Sequence, residues 1–335
     1  MRTPSLLPFT LAAVLCGGIA SLAAPEEPGV KLTQRPDRVL VEIGGKPFTE
    51  YCFGNVPKPF CYPIHGPGGV GLTRDWPMRE TPGEERDHPH HRGLWFTHGD
   101  VNGVDFWSET AKAGKVVHDG FLEVTSGRDT GVLRARNKWI APDGRLICTD
   151  EQTLRFHADA AEGRRLDFEI TLHAGAEPLV FGDTKEGTMA IRVAETMRLT
   201  AVKPPGASKA PPGAGHILLA TGARDNDTWG KRSPWCDYSG PVGGQTVGIA
   251  IFEHPANPRF PTWWHVRDYG LFAANPFGQH DFEKLSDKEA GKRVVPAGGQ
   301  VTFRYRFYFH AGDAAQAKVA ERFEEYRASA AVAPR

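Results

Sequence analysis

Little in this 335-residue sequence ties it to a nucleic acid, a nucleotide or a bilayer. An excess of one charge is missing: lysine plus arginine and aspartate plus glutamate number 40 each, so there is no basic footprint for nucleic acid. Past the first two dozen residues, no apolar run reaches the ~18 residues that a membrane-spanning helix needs. Cysteine is scarce, five in all, and no pair is spaced C-x-x-C, which argues against a zinc knuckle or a redox motif. No G-x-G-x-x-G opens a helix, and there is no Walker loop, no G-x-S-x-G elbow and no H-E-x-x-H. Dinucleotide, P-loop, α/β-hydrolase and zincin chemistries are therefore set aside.

The first two dozen residues stand apart from the rest. Arg2 supplies a positive start, Leu6 to Ile19 form an apolar stretch interrupted by Pro8, and Ser21-Leu22-Ala23 offers a small-x-small cleavage site before Ala24. We read residues 1–23 as a secretory signal peptide and expect a periplasmic or secreted protein. Lipidation at Cys16 is the alternative, but Leu15 stands where such a site carries a small residue. Removal of the signal leaves Cys52, Cys61, Cys148 and Cys236, read as free buried thiols; a Cys52–Cys61 bridge is the alternative that an oxidising compartment allows.

What is abundant is glycine (38) and proline (27), with alternating apolar segments between them, the texture of a β protein. Alternation at Arg38–Ile43, Leu166–Leu172, Val301–Phe309 and part of Leu146–Phe156, and β-type runs between turns elsewhere, predict strands at those four and at Pro47–Phe53, Phe121–Val124, Gly131–Ile140, Ile217–Ala220, Thr246–Phe252, Trp263–Val266 and Leu271–Ala274. Met189–Met197 fits either a strand or a short helix. Gly66 to Glu109 lacks periodicity and reads as one long loop, and Lys203 to Gly215 as a surface excursion. Asp313 is placed to cap a helix carrying Ala317, Ala320, Phe323 and Tyr326. The expectation is all-β: one large antiparallel β-sandwich over residues 30–330, with a C-terminal helix.

Chemistry concentrates in Asp87–Trp107. Four of the thirteen histidines, His88, His90, His91 and His98, fall within eleven residues there, among aspartates, an arginine and tryptophans. Imidazole serves near neutral pH as general acid, general base or metal ligand. Read as an extended segment, the loop puts His88 and His90 on one side and His91 on the other. Arg92 offers a planar fork for a carboxylate or hydroxyl pair, or else an ion pair with Asp87 or Asp105. His98-Gly99-Asp100 reads as a histidine oriented by a carboxylate. Asp105 and Glu109 add carboxylates, and Trp107 a ring for a sugar face, although aromatics in a β protein are more often core. A second cluster, Trp263–His280, repeats the composition, and we expect His265, Arg267 and Asn275 to complete one site with the first.

The run Asp87-His88-Pro89-His90-His91-Arg92-Gly93-Leu94-Trp95, with His98-Gly99-Asp100-Val101-Asn102-Gly103-Val104-Asp105-Phe106-Trp107, resembles the hallmark of a bacterial family labelled "PmoA-like" or "methane oxygenase". Trp264-His265-Val266-Arg267-Asp268-Tyr269-Gly270 with Ala274-Asn275-Pro276-Phe277-Gly278 resembles its later motif, and the likeness covers roughly residues 35 to 327. The label implies a helical membrane subunit, and the absence of a span here marks it as a misannotation. The inferred architecture is similar instead to the galactose-mutarotase-like supersandwich, a fold on which both enzymes and carbohydrate-binding domains occur.

The sequence-level reading is an exported carbohydrate-active enzyme of epimerase, lyase or hydrolase type. It would act on a sugar or oligosaccharide with no nucleic-acid partner. His90, His91, His98 and His265 are the catalytic candidates. Arg92, Asp100, Asp105, Arg267, Asn275 and Trp107 are the substrate-binding candidates. No cofactor is assigned; a divalent metal on His88, His90 or His98 stays open on ligand type alone. A non-catalytic sugar-binding protein and a metal-dependent oxygenase or hydrolase are the competing readings.

Overall fold

Alternating apolar side chains can bury one face of a strand only against another apolar face, and here two sheets supply that for each other. The computed structural model describes residues 29–158 and 163–332; the expected signal peptide lies outside them. One antiparallel sheet runs in the order Val30–Gln34, Arg38–Ile43, Lys46–Cys52, Phe60–Ile64, Leu94–His98, Gly187–Arg192, Leu271–Asn275, Trp263–Val266. The other runs His216–Leu219, Trp235–Val242, Gln245–Glu253, Gln300–Ala311, Gly163–Ala174, Leu146–His157, Thr130–Ile140, Lys115–Thr125. The described residues thus form a mostly β structure of two eight-stranded antiparallel sheets, with a two-stranded sheet of Leu179–Phe181 and Arg293–Val295, a short helix at Gln279–Glu283 and one C-terminal helix. Between the sheets, a continuous apolar cluster extends from Val30 to Phe309. Phe48 of the first sheet meets Phe156 and Phe309 of the second edge-on, at 6.1 and 5.6 Å between centroids. Rings of this size supply much of the buried area that holds the sheets together.

Most strands follow the alternation within a residue or two, and three departures have physical causes. Leu94–His98 is a strand inside the expected loop; all five of its residues are buried, so it shows no period of two. Met189–Met197 divides into a strand, Gly187–Arg192, and a single 3-10 turn, Glu195–Met197. Asp313 does accept N–H bonds from Ala315 and Gln316, at 3.0 and 2.9 Å. Yet Lys318 takes a left-handed φ of 53°, so the helix starts only afterwards, at Val319–Val332. Its Val319, Phe323 and Tyr326 cover Trp235, Phe252 and Tyr308 on the outer face of the second sheet. Cys61, Cys148 and Cys236 are buried and Cys52 half-buried, all as free thiols. Among the described residues no helix is long and apolar enough to cross a membrane.

Candidate functional site

Strand register decides which side chains share the site. Trp95 pairs with Ala190, Ala190 with Ala273, and Ala273 with His265, so these four form one row across four strands on the outer face of the first sheet. The neighbouring row, Phe96, Met189, Ala274 and Trp264, faces inward and belongs to the main core. Ala190 and Ala273 have no side chain beyond Cβ, which leaves room above the sheet between Trp95 and His265. Trp107, Leu271 and Tyr269 close round that space as a small separate apolar cluster.

The histidine loop folds over this row. It enters the strand at Gly93, whose φ is 54° and whose Cβ, if present, would lie 2.2 Å from the Cys61 carbonyl oxygen; only glycine fits there. Two fully buried arginines hold the loop. Arg74 donates to the Asp87 carboxylate and, at 3.0 Å each, to the carbonyls of Asp87 and His88. Arg192 donates to Asp87 at 3.0 Å and to Nδ1 of His91 at 3.1 Å. A guanidinium cannot accept, so Nδ1 of His91 is the acceptor and its proton sits on Nε2. The second carboxylate oxygen of Asp87 lies 2.6 Å from Nδ1 of His88.

These restraints stack four rings in a column: Tyr269 on His88 (5.0 Å), His88 on His91 (4.7 Å) and His91 on Trp95 (5.4 Å). His88 takes a positive φ of 41°, so the loop is turned rather than extended, and His88 and His91 lie face to face instead of on opposite sides. His90 stands edge-on to His91 at 4.4 Å. The column borders a cavity of about 440 Å³ whose wall includes His88, His90, His91, Asp105, Trp107 and Ser108 from the loop, and His265, Arg267 and Tyr269 from the later segment. Lys185 and Glu186, from the turn before Gly187–Arg192, complete it.

The electrostatics follow from burial and the surrounding cations. Burial, with the Lys58 ammonium nearby, pushes His90 down to about 4. Burial and Arg192 hold His91 well below its ordinary value. Burial, with Arg267 and Lys185, pushes His265 down to about 3. All three rings are neutral at pH 7. Burial works against ionisation of Asp87, but His88, Arg192 and Arg74 outweigh it and keep the carboxyl charged. Beneath the site, Lys58 donates to the Trp107 carbonyl at 3.2 Å and pairs with Glu109 at 3.1 Å, while burial pushes it down to about 8.

His88, His90, His91, Asp105, Trp107, His265 and Arg267 thus come together, and the other candidates take different places. His98 occupies the inward row with its ring 5.0 Å from Phe277; it bonds the Gly182 carbonyl at 2.8 Å rather than Asp100, and burial pushes it down to about 4. Asp100 instead accepts the N–H of Gly103 at 2.9 Å. Arg92 is bound through two of its nitrogens to Glu109, and not to Asp87 or Asp105. Asn275 is fully buried and ties the Thr184 carbonyl to the N–H of Phe277. Asp105 lines the cavity but also caps the loop, accepting from the N–H groups of Trp107 and Ser108 at 2.7 and 3.0 Å. Among the described residues no three His, Cys, Asp or Glu side chains converge as a metal-binding group, and His98 lies on the other face of the sheet from His265. Sequence reasoning passed over Arg74, Arg192, Lys58, Lys185 and Tyr269. Two of these left a signal: Tyr269 lies within the second cluster, Trp263–His280, and Arg192 is a cation in the otherwise apolar Met189–Ala194.

Fold and site together define a mostly β protein of two large sheets, with a histidine-lined cavity on the outer face of one of them. Residues 38–324 match a family of unknown function, DUF6807, and the chain belongs to it. The match carries no support for the PmoA-like label. No curated protein matches the chain in sequence. Among solved structures, an α-galactosidase from Lactobacillus brevis aligns at 8% identity and TM-score 0.42 over 86% of this chain, which spans 40% of that protein's length. A galactose mutarotase-like protein from Clostridium acetobutylicum aligns at 10% identity and TM-score 0.37, over 85% of this chain and 99% of that one. Likenesses this distant say nothing of the reaction.

Proposed function

We propose that this protein is an exported enzyme that moves a proton on a sugar or oligosaccharide bound in the histidine-lined cavity. The observation that carries the proposal is the meeting of His88, His90 and His91 with His265, Arg267 and Tyr269, from segments far apart in the chain, around one space. Its volume is within the range of small-molecule sites, and hydrogen-bonding groups on several walls suit a polyhydroxylated ligand.

Within that reading His88 is the proton acceptor. Asp87 engages Nδ1, which leaves Nε2 for the substrate, and the carboxylate stabilises the imidazolium that forms. His265, neutral and with a buried Nδ1 that has no hydrogen-bond partner among the described residues, binds a hydroxyl rather than supplying an imidazolium proton. His90 and the Nε2–H of His91 serve in the same way, and Trp107 offers an apolar wall.

The test is a screen of neutral and oxidised mono- and oligosaccharides, with and without divalent metal, on wild type and His88→Gln. Turnover that His88→Gln abolishes without lowering the melting temperature supports the proposal. Affinity without product would make the protein a sugar binder, and a strict metal requirement would move the chemistry to a different class. Export is checked separately: mass spectrometry of the mature protein should find its N-terminus at Ala24.

A further inference from the structure

We infer that the ligand is an anionic sugar, a uronate or uronate-bearing oligosaccharide, whose carboxylate is received by the guanidinium of Arg267. The inference rests on the sugar reading above and adds the substrate class. Two cations line the cavity, Lys185 and Arg267. Lys185 is paired with Glu186 at 2.9 Å. Arg267 makes no side-chain hydrogen bond or ion pair to any described residue; it rests between Trp229 and Tyr269, 5.8 and 5.5 Å from the ring centroids. A guanidinium packed on aromatic faces with its N–H groups unspent is arranged for a carboxylate.

The carboxylates that could repel such a ligand are already engaged. Asp105 is held by Trp107 and Ser108, and Glu186 by Lys185. Behind the wall, Arg74 and Arg192 share the single carboxylate of Asp87, and Lys58 and Arg92 share that of Glu109. The site therefore carries surplus positive charge in a chain whose formal net charge is zero. Burial is the larger cause of the lowered values of His90, His91 and His265, and the nearby cations Lys58, Arg192 and Arg267 add to it.

Tyr269 joins the anion site to the base, since it stacks on His88 and borders Arg267. In a uronate the most acidic C–H is the one beside the carboxylate. That bond breaks, the proton passes to Nε2 of His88, and the electron pair moves into the carboxylate as an enediolate held by Arg267. Return of a proton to the carbon balances the step with no co-reactant.

The experiment titrates methyl glucuronide against methyl glucoside, and the galacturonide against the galactoside, by calorimetry. Wild type, Arg267→Gln and Arg267→Lys are compared, with thermal melts confirming that each is folded. NMR in D2O follows loss of the proton beside the carboxylate in wild type and His88→Gln. The expected result is at least tenfold preference for an acid over its neutral partner, most of it lost in Arg267→Gln and partly kept in Arg267→Lys. Deuterium exchange should occur in wild type and stop in His88→Gln. Equal binding of acid and neutral sugar overturns this inference and leaves the sugar reading standing. A preference unchanged in Arg267→Gln overturns the assignment of Arg267. Binding without exchange overturns the proton-transfer step. Sulfate bound as tightly as the acids, or no binding of any sugar, overturns the sugar reading itself.

Discussion

One histidine–aspartate pair lies in the loop over the first sheet and another within the second sheet. His88 and Asp87 are sequence neighbours, 2.6 Å apart, and the His88 side chain is 39% exposed at the cavity. His310 and Asp237 are 73 residues apart in sequence and 2.7 Å apart in space, with neither more than 1% exposed. Asp87 also binds two buried arginines; Asp237 has His310 as its ion-pair partner. His310 reaches across the intervening strand only because Gly248 lacks a Cβ, which would lie 2.2 Å from the imidazole ring. Burial opposes the charge on His310, but the Asp237 carboxylate outweighs it and raises the ring above its ordinary value. The chemistry of the two pairs is the same and their roles differ. A histidine acts on a ligand only where one ring nitrogen stays open, and a sealed pair can only hold the fold together.

The largest effect that would test this contrast comes from Asp87→Asn. Turnover of the substrate found by screening should fall about 10³–10⁴-fold, as when a histidine loses its orienting carboxylate. Stability to urea should fall by about 3 kcal/mol, because the buried Arg74 and Arg192 lose the carboxylate that balances their charge. Undiminished turnover would remove the His88–Asp87 pair from the mechanism.

Asp237→Asn should cost about 2–3 kcal/mol in urea unfolding, the scale of a buried charge-assisted hydrogen bond, with turnover per folded molecule unchanged. The pH dependence gives its signature. A histidine whose pKa is raised by folding contributes stability that is fully present below its unfolded value, near 6.5, and is lost as pH rises through the folded value. The wild type should therefore show that decline above pH ~6.5, and the variant should lack it. Gly248→Ala should act on the same pair at a lower cost of about 1–3 kcal/mol, the range for an intruding methyl group, and should weaken the same slope.

Lys58→Met is expected to change a slope more than a magnitude. An ammonium depressed by folding makes stability rise with pH, here from about 8 towards the ordinary lysine value near 10.5, opposite in sign to His310. Denaturation curves across that window should flatten in the variant. A slope that persists would mean that Lys58 is not the group responsible.

Much of the fold was legible because half-buried strands advertise themselves. Arg38–Ile43 coincides with its alternating stretch residue for residue, and Thr130–Ile140 with its expected strand to within one residue. Leu94–His98 and Trp235–Val242 did not advertise themselves, since burial on both faces erases alternation. For the site, the density of histidine pointed to the loop, and shared composition pointed to the later segment that faces it across the cavity. The partners of those histidines were hidden. Arg74 lies among unremarkable loop residues, and the pairing of Asp87 with its own neighbour His88 needs a left-handed turn that no spacing rule announces. His98 was drawn in by proximity in sequence, although a strand sends residues 95 and 98 to opposite faces.

By itself the sequence determined the local facts: a period of two, the glycine and proline breaks, the concentration of imidazoles, and the lack of any helix-borne nucleotide motif. Those follow from side-chain chemistry and short-range sterics. Only the tertiary structure decided that Trp95, Ala190, Ala273 and His265 form one row, that two arginines converge on Asp87, and that Arg267 faces the cavity with no side-chain hydrogen bond or ion pair to any described residue. Register between strands nearly a hundred residues apart is set by which faces can be buried together, and a slip of one residue would have sent His265 into the core and His98 out to the cavity side.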